Sequence, residues 1–249
     1  MIGIRRALSL LILSFYVIYF AIGSWLVPDE MMAAFIGLAL CYGLAFIALA
    51  AEWFWARWFA IGLGNFGSLS LLLLFQVEVE YALVVFGVSH LLVVLFLSGE
   101  GMAAKYEYSE QTAERWNFQE DSIALLRRAV KSAGSMLPFL ILYALAPRQE
   151  QGLIQALALV GGVAGLFGLV RAKTWGPLAL GATGFLCLLD GLGVFGAPTI
   201  GFFMFGPELM PVVCGKFGVF AGGLMLVTLP FLAPMARFLR RADAQPSHT

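Results

Sequence analysis

Charged side chains are scarce in this chain. Asp, Glu, Lys and Arg make up 12% of its 249 residues, about half the share in a soluble globular domain. There are two histidines and three cysteines. Cys41, Cys187 and Cys214 lie in apolar runs without CxxC spacing, so neither a disulfide framework nor a thiolate metal site is expected, and they read as small buried hydrophobes. Fifteen basic residues balance fifteen acidic ones, which removes the electrostatic footprint of a nucleic-acid binder. No HExxH, GxSxG or carboxylate-pair motif occurs. Ser89 and His90 are neighbours in sequence and so point in different directions on a helix. No catalytic residue, metal or cofactor is therefore expected. Gly62-x-Gly64-x2-Gly67 lacks the βαβ surroundings of a dinucleotide fingerprint.

What the chain has instead is hydrocarbon: 61% of residues are hydrophobic and the mean hydropathy is +0.91. In lipid every backbone polar group must be paired within its own segment, so each apolar run of about 17–25 residues reads as a spanning helix. Eight runs qualify: 7–27, 31–51, 59–76, 81–98, 134–146 (short, with Pro138, and extended back through Val130), 152–170, 177–195 and 212–235. The first follows a basic start like that of a signal peptide. Its length of about 20 residues exceeds an h-region of about 7–15, and it reads as a retained span. Trp53, Trp55 and Trp58 fit the aromatic belt at a membrane interface.

Basic residues orient the bundle. With eight spans and both termini in the cytoplasm, 13 of the 15 Lys and Arg fall inside, and only Arg148 and Lys216 lie outside. Seven or nine spans would misplace several of them. The expected fold is thus an all-α polytopic membrane helix bundle in a plasma membrane of bacterial inner-membrane type. Its parts are a four-helix half at 1–98, a cytoplasmic connector at 99–133, a second four-helix half at 134–241 and a cytoplasmic tail at 242–249.

The connector holds 11 of the 30 charged residues. Lys105 to Gln119 reads as loop or short helix. From Glu120 to Lys131 the recurrence of Ile123, Leu126 and Val130, with acids first and bases last, predicts an amphipathic helix on the membrane surface. Arg127, Arg128 and Lys131 are its candidate contacts with lipid phosphates. The connector is also the largest water-exposed surface and the best place for a cytoplasmic partner to dock.

The halves resemble one another. A shift of 117 lays Trp58-x4-Leu63-Gly64-x2-Gly67-x-Leu69-x-Leu71-Leu72 on Trp175-x4-Leu180-Gly181-x2-Gly184-x-Leu186-x-Leu188-Leu189, seven identities in 15 positions. Two explanations stay open: a 4+4 parallel repeat about an axis along the membrane normal, or the shared needs of helix hairpins at an inner interface.

An ionisable side chain in hydrocarbon costs about 2.5–3.5 kcal/mol on insertion scales, which singles out His90, Asp190 and Lys216. Asp190 with Lys216 reads as a structural ion pair, as part of a relay with His90, or as a carboxylate facing a wet cavity. His90 reads as a hydrogen-bonded packing residue or a contact with another subunit. Gly196 to Pro211 is apolar but broken by glycine and proline. It is either a re-entrant segment holding Glu208 near Lys216 or an outer loop flat on the headgroups. Gly161-x3-Gly165 and Gly218-x3-Gly222 permit close helix approach, within the chain or to membrane-protein or homo-oligomer partners. Three function classes follow: a structural or assembly subunit of a membrane complex, a small-solute or ion transporter using Asp190, Lys216 and His90, and an intramembrane enzyme.

Overall fold

The computed structural model describes residues 2–75, 81–107, 120–145, 147, 152–171, 173–196, 200–205 and 208–243. The apolar runs become helices in chain order. These are α1 (Ile2–Leu26), α2 (Asp29–Ala50), α3 (Ala56–Ser68, continued as a tighter 3-10 segment over Leu69–Phe75), α4 (Tyr81–Leu97) and α5 (Glu100–Glu107). Then come α6 (Glu120–Leu145), α7 (Leu153–Val170) and α8 (Trp175–Gly191). A hairpin, β1 (Ile200–Phe205) with β2 (Glu208–Val213), precedes α9 (Gly215–Leu226), a 3-10 turn at Leu229–Phe231 and α10 (Leu232–Asp243).

Among the described residues α1, α2 and α7 are each long and apolar enough to cross a membrane, and up to five candidates result if the bent pairs α4–α5 and α9–α10 each count as one. Other apolar helices fall short for plain reasons. At 1.5 Å per residue, the 17 residues of α8 reach about 26 Å against a hydrocarbon core of about 30 Å. α3 has 13 residues before it tightens. α6 has 26, but Arg127, Arg128 and Lys131 lie in its first half.

α3 and α6 are the enclosed helices of the bundle: residues 132–141 of α6 are all buried. At α3 every residue from Trp55 to Gly64 is buried, and α2, α4 and α6 pack on this helix. Its glycines permit this. A Cβ on Gly62 would strike the Lys131 carbonyl oxygen of α6, and one on Gly134 the Phe59 carbonyl oxygen of α3. Ser135 donates to the Gly62 carbonyl at 2.8 Å, and the Phe66 and Phe139 rings meet edge-on at 4.9 Å. These contacts advance together along both chains, so α3 and α6 run parallel and weld the two halves.

Four expectations change here. Trp55 and Trp58 are 1% exposed core residues rather than members of an interfacial belt, because the start of α3 is enclosed by the helices packed on it. The surface helix expected at 120–131 and the span expected from 134 form one helix, α6, with the 133/134 boundary inside it. The apolar face of its first turns, Leu126, Ala129 and Val130, joins the protein core instead of lying on lipid. The fold stays all-α as expected, but the connection expected as a re-entrant segment or a flat outer loop holds a short antiparallel hairpin, with Ile200 opposite Val213 and Phe205 opposite Glu208. Aromatic and β-branched residues suit strands, and Gly206-Pro207 between the runs is turn composition. Residues 108–119 of the connector and 244–249 of the tail lie outside the described residues.

The outward faces are apolar. On α1, Ile4, Leu11, Ile18 and Ile22 share one face and are 57–67% exposed. α7 reverses the pattern of a water-soluble helix: it buries Ala158, Gly162, Gly165 and Gly168 and exposes Leu153, Leu157, Val160, Val163 and Phe167.

Candidate functional site

Two polar clusters lie within the bundle, one in each half. The first surrounds His90 of α4, which is 1% exposed. Its ring has room because Gly67 of α3 has no side chain; a Cβ there would fall on the imidazole. Nδ1 lies 2.6 Å from the Phe86 carbonyl, one turn back on α4. That oxygen only accepts, so Nδ1 carries the proton. In the neutral ring Nε2 then accepts from the Tyr42 hydroxyl of α2 at 2.5 Å. The Tyr16 ring of α1 lies 4.5 Å from the imidazole, and its hydroxyl pairs with Ser89 at 2.6 Å. Ser89 thus faces α1 while His90 faces α2 and α3. Both ring nitrogens are held by the bundle itself.

The second cluster surrounds Asp190, half-buried in the last turn of α8. Its Oδ2 accepts from the Tyr143 hydroxyl of α6 and from Gln155 Nε2 of α7 at 3.0 Å. Tyr143 is fully buried and Gln155 is 5% exposed, so α8 is tied to both neighbours at this end. The helix ends directly after it: Val194 donates to the Leu189 carbonyl, Gly193 donates to that of Asp190, and Gly193 takes the left-handed turn (φ 79°) of a Schellman cap.

The expected ion pair is not made. Lys216, the second residue of α9, is exposed, and it forms no ion pair with Asp190, whose carboxylate turns toward α6 and α7. α8 and α9 do touch here, with Gly191 against the Gly215 carbonyl, but their charged groups diverge. Glu208 opens β2, and its side-chain geometry lies outside the described residues. His90 and Asp190 belong to different halves, with no hydrogen bond between them. On α6, Arg128 is exposed and Arg127 and Lys131 are half-buried; the Arg127 guanidinium lies 6.0 Å from the Trp58 ring centre. Among the described residues no group of three or more His, Cys, Asp or Glu is placed to hold a metal.

A third polar assembly, at the end holding the first residues of α1, had no signal beyond its basic residues. Arg5 donates to the Leu95 carbonyl at 2.9 Å and to that of Ser98. Arg57 Nε donates to the Leu97 carbonyl at 2.7 Å. Both neutralise the C-terminus of α4, where the helix dipole is negative. Arg6 serves α2 in the same way, donating to the Ala50 carbonyl at 2.7 Å and pairing with Glu52 at 2.6 Å. Lys105 reaches the same Glu52 oxygen at 2.9 Å. The Lys105 hydrogen bond, with Arg6 beside it, holds the Glu52 carboxyl below its ordinary value of 4.5. Glu52 also takes the left-handed position (φ 57°) of the cap on α2, with Trp53 donating back to the Ala48 carbonyl at 3.0 Å.

The partners Tyr42, Tyr16, Tyr143 and Gln155 were missed from sequence. Their only signal is a polar atom inside an apolar run, which does not say which helix it faces. Comparison with known proteins adds no likeness to this geometry: no family model matches the chain, and neither a curated protein nor a solved structure matches it.

Proposed function

We propose that this chain is a multi-pass membrane protein of eight spans with both termini in the cytoplasm, acting as a structural or assembly subunit of a membrane complex. The observation that carries the reading is His90. It is 1% exposed and both its nitrogens are bonded to the bundle's own Phe86 and Tyr42, which suits a packing residue better than one open to a passing solute. The reversed pattern of α7 supports the membrane setting, since small residues pack helices together in lipid and large ones face the chains.

We read the two halves as a parallel repeat as well. A Cβ at Gly67 would meet His90 and one at Gly87 would meet Leu71; in the second half Gly184 faces Met225 and Gly222 faces Leu188. The third spans correspond at an offset of 117. Gly87 with Gly222 and His90 with Met225 both correspond at 135. One packing register thus recurs after 18 extra residues, and the β1–β2 hairpin accounts for most of them.

A second reading, a transporter of a small solute or ion, is favoured by the half-buried Asp190. The two separate by experiment. If Asp190→Asn and His90→Ala preserve complex formation but abolish a measured flux, the subunit reading fails. Copurification of a fixed partner from mild detergent, unaffected by both substitutions, removes the transporter.

A further inference from the structure

Where α8 passes the broken end of the last helix, the second half leaves open a gap that the first half closes. Gly64 and Gly181 hold the same place in the two Trp-x4-Leu-Gly runs. A Cβ at Gly64 would meet Val94 at 2.8 Å, while one at Gly181 would meet nothing within 4 Å. The difference lies in the facing helix. α4 runs unbroken past Val94 to Leu97. α9 stops at Leu226, and the chain resumes after a 41° bend, with Pro230 in the intervening 3-10 turn. Leu229, which stands at the 135-residue offset from Val94, is 55% exposed instead of filling the gap.

The result is a cleft of about 300 Å³, walled by Pro177, Gly181 and Phe185 of α8 and by Met225, Leu229 and Leu232 around the break. It is apolar. The hydroxyl of Thr228, the polar side chain in its wall, already donates to the Met225 carbonyl at 2.6 Å. α8 and α9 run antiparallel, Gly191 against Gly215 and Gly184 against Met225, so the residues before Pro177 and those after Leu232 extend toward the same end; Lys173 precedes Pro177, Arg237 and Arg240 follow Leu232 on α10, and all three are exposed. Trp175, 43% exposed, stands at the same end, where an indole suits a headgroup boundary.

An apolar slot with a basic mouth matches one chemistry in a membrane. We infer that the cleft between α8 and the α9–α10 break seats an acyl chain of an anionic phospholipid whose phosphate is bound by Lys173, Arg237 and Arg240. The inference rests on the membrane reading above and adds the class of lipid and its place.

The test uses the full-length chain, delipidated in mild detergent and offered dioleoyl phosphatidylglycerol or dioleoyl phosphatidylcholine in mixed micelles, with bound lipid counted by native mass spectrometry. One phosphatidylglycerol should be retained, about tenfold or more tightly than phosphatidylcholine, and millimolar inorganic phosphate should not displace it. Lys173→Gln, Arg237→Gln and Arg240→Gln should each weaken retention about fivefold, the effect of one basic residue near an anionic surface. Gly181→Leu, whose side chain has open space to enter, should abolish it. Equal retention of the two lipids overturns the inference. So does a folded Gly181→Leu that still holds lipid, or a wild-type dimer that this variant dissolves, which would give the cleft to a second copy. Should Gly181→Leu fail to fold, the three exposed charge variants still decide the matter. Release of the chain from membranes by alkaline carbonate would overturn the membrane reading itself, a failure distinct from equal lipid retention.

Discussion

At the scale of single residues, the polar groups inside the bundle hold helices together in pairs. Tyr42→Phe removes the donor to His90 Nε2 and leaves a buried acceptor unpaired, which costs about 1–3 kcal/mol. A lowered thermal midpoint in detergent micelles would register it, and an unchanged midpoint would show that the bond contributes nothing. Glu52 gives a pH dependence with a fixed sign. Its carboxyl titrates below 4.5 in the fold, pulled down first by Lys105 and then by Arg6, and a lowered carboxyl stabilises only while ionised. Its contribution is therefore complete above about pH 4.5 and fades as the pH falls through the lower folded value. The side chain is 43% exposed, so solvent screening keeps the effect small, under about 1 kcal/mol. Glu52→Gln should flatten thermal midpoint against pH in that acid range and leave the rest of the curve parallel to wild type.

At the scale of elements, glycine decides which helices touch. Gly62 and Gly134 place α3 and α6 backbone to backbone, so Gly62→Ala must part the two helices and should cost about 2 kcal/mol or more, as overpacking of a tight core does. Gly223, on α9, faces open space. Gly223→Ala should stabilise by about 0.5–1 kcal/mol through helix propensity alone. Opposite shifts of the thermal midpoint for these two substitutions would confirm the assignment; equal shifts would contradict it. The sequence marks both glycines alike, as small residues in apolar helices. The distinction appears only when the partner helix is in place. The same applies to Trp55 and Trp58: aromatic residues beside Arg57 have the composition of an interface, but the glycines of α3 draw that end of the helix into the core. Asp190 was legible as out of place, since a carboxylate in an apolar run is unmistakable. Its partners were not, because Tyr143 and Gln155 are 47 and 35 residues away and nothing local links them to it.

At the scale of the molecule, the orientation we propose rests on the placing of basic residues. A cysteine introduced at position 110, between α5 and α6, should react with a membrane-impermeant maleimide only when the cytoplasmic face is open; labelling of intact cells from outside would invert the whole arrangement. The three native cysteines are buried, so background labelling should be low. The sequence by itself determined the helical character and the extent of most helices, because a long apolar run pairs its backbone most simply within its own segment. It also exposed the likeness of the Trp-x4-Leu-Gly runs that begin at Trp58 and Trp175, and the few charges inside apolar runs. Tertiary structure alone decided that α3 and α6 lie enclosed against each other, that 120–145 is one helix, that Asp190 bonds Tyr143 and Gln155 instead of Lys216, and that the second half keeps open a cleft the first half fills. Those outcomes depend on which helix faces which, and in a chain of nearly uniform hydropathy that is settled by the fit of small residues against side chains far away in sequence.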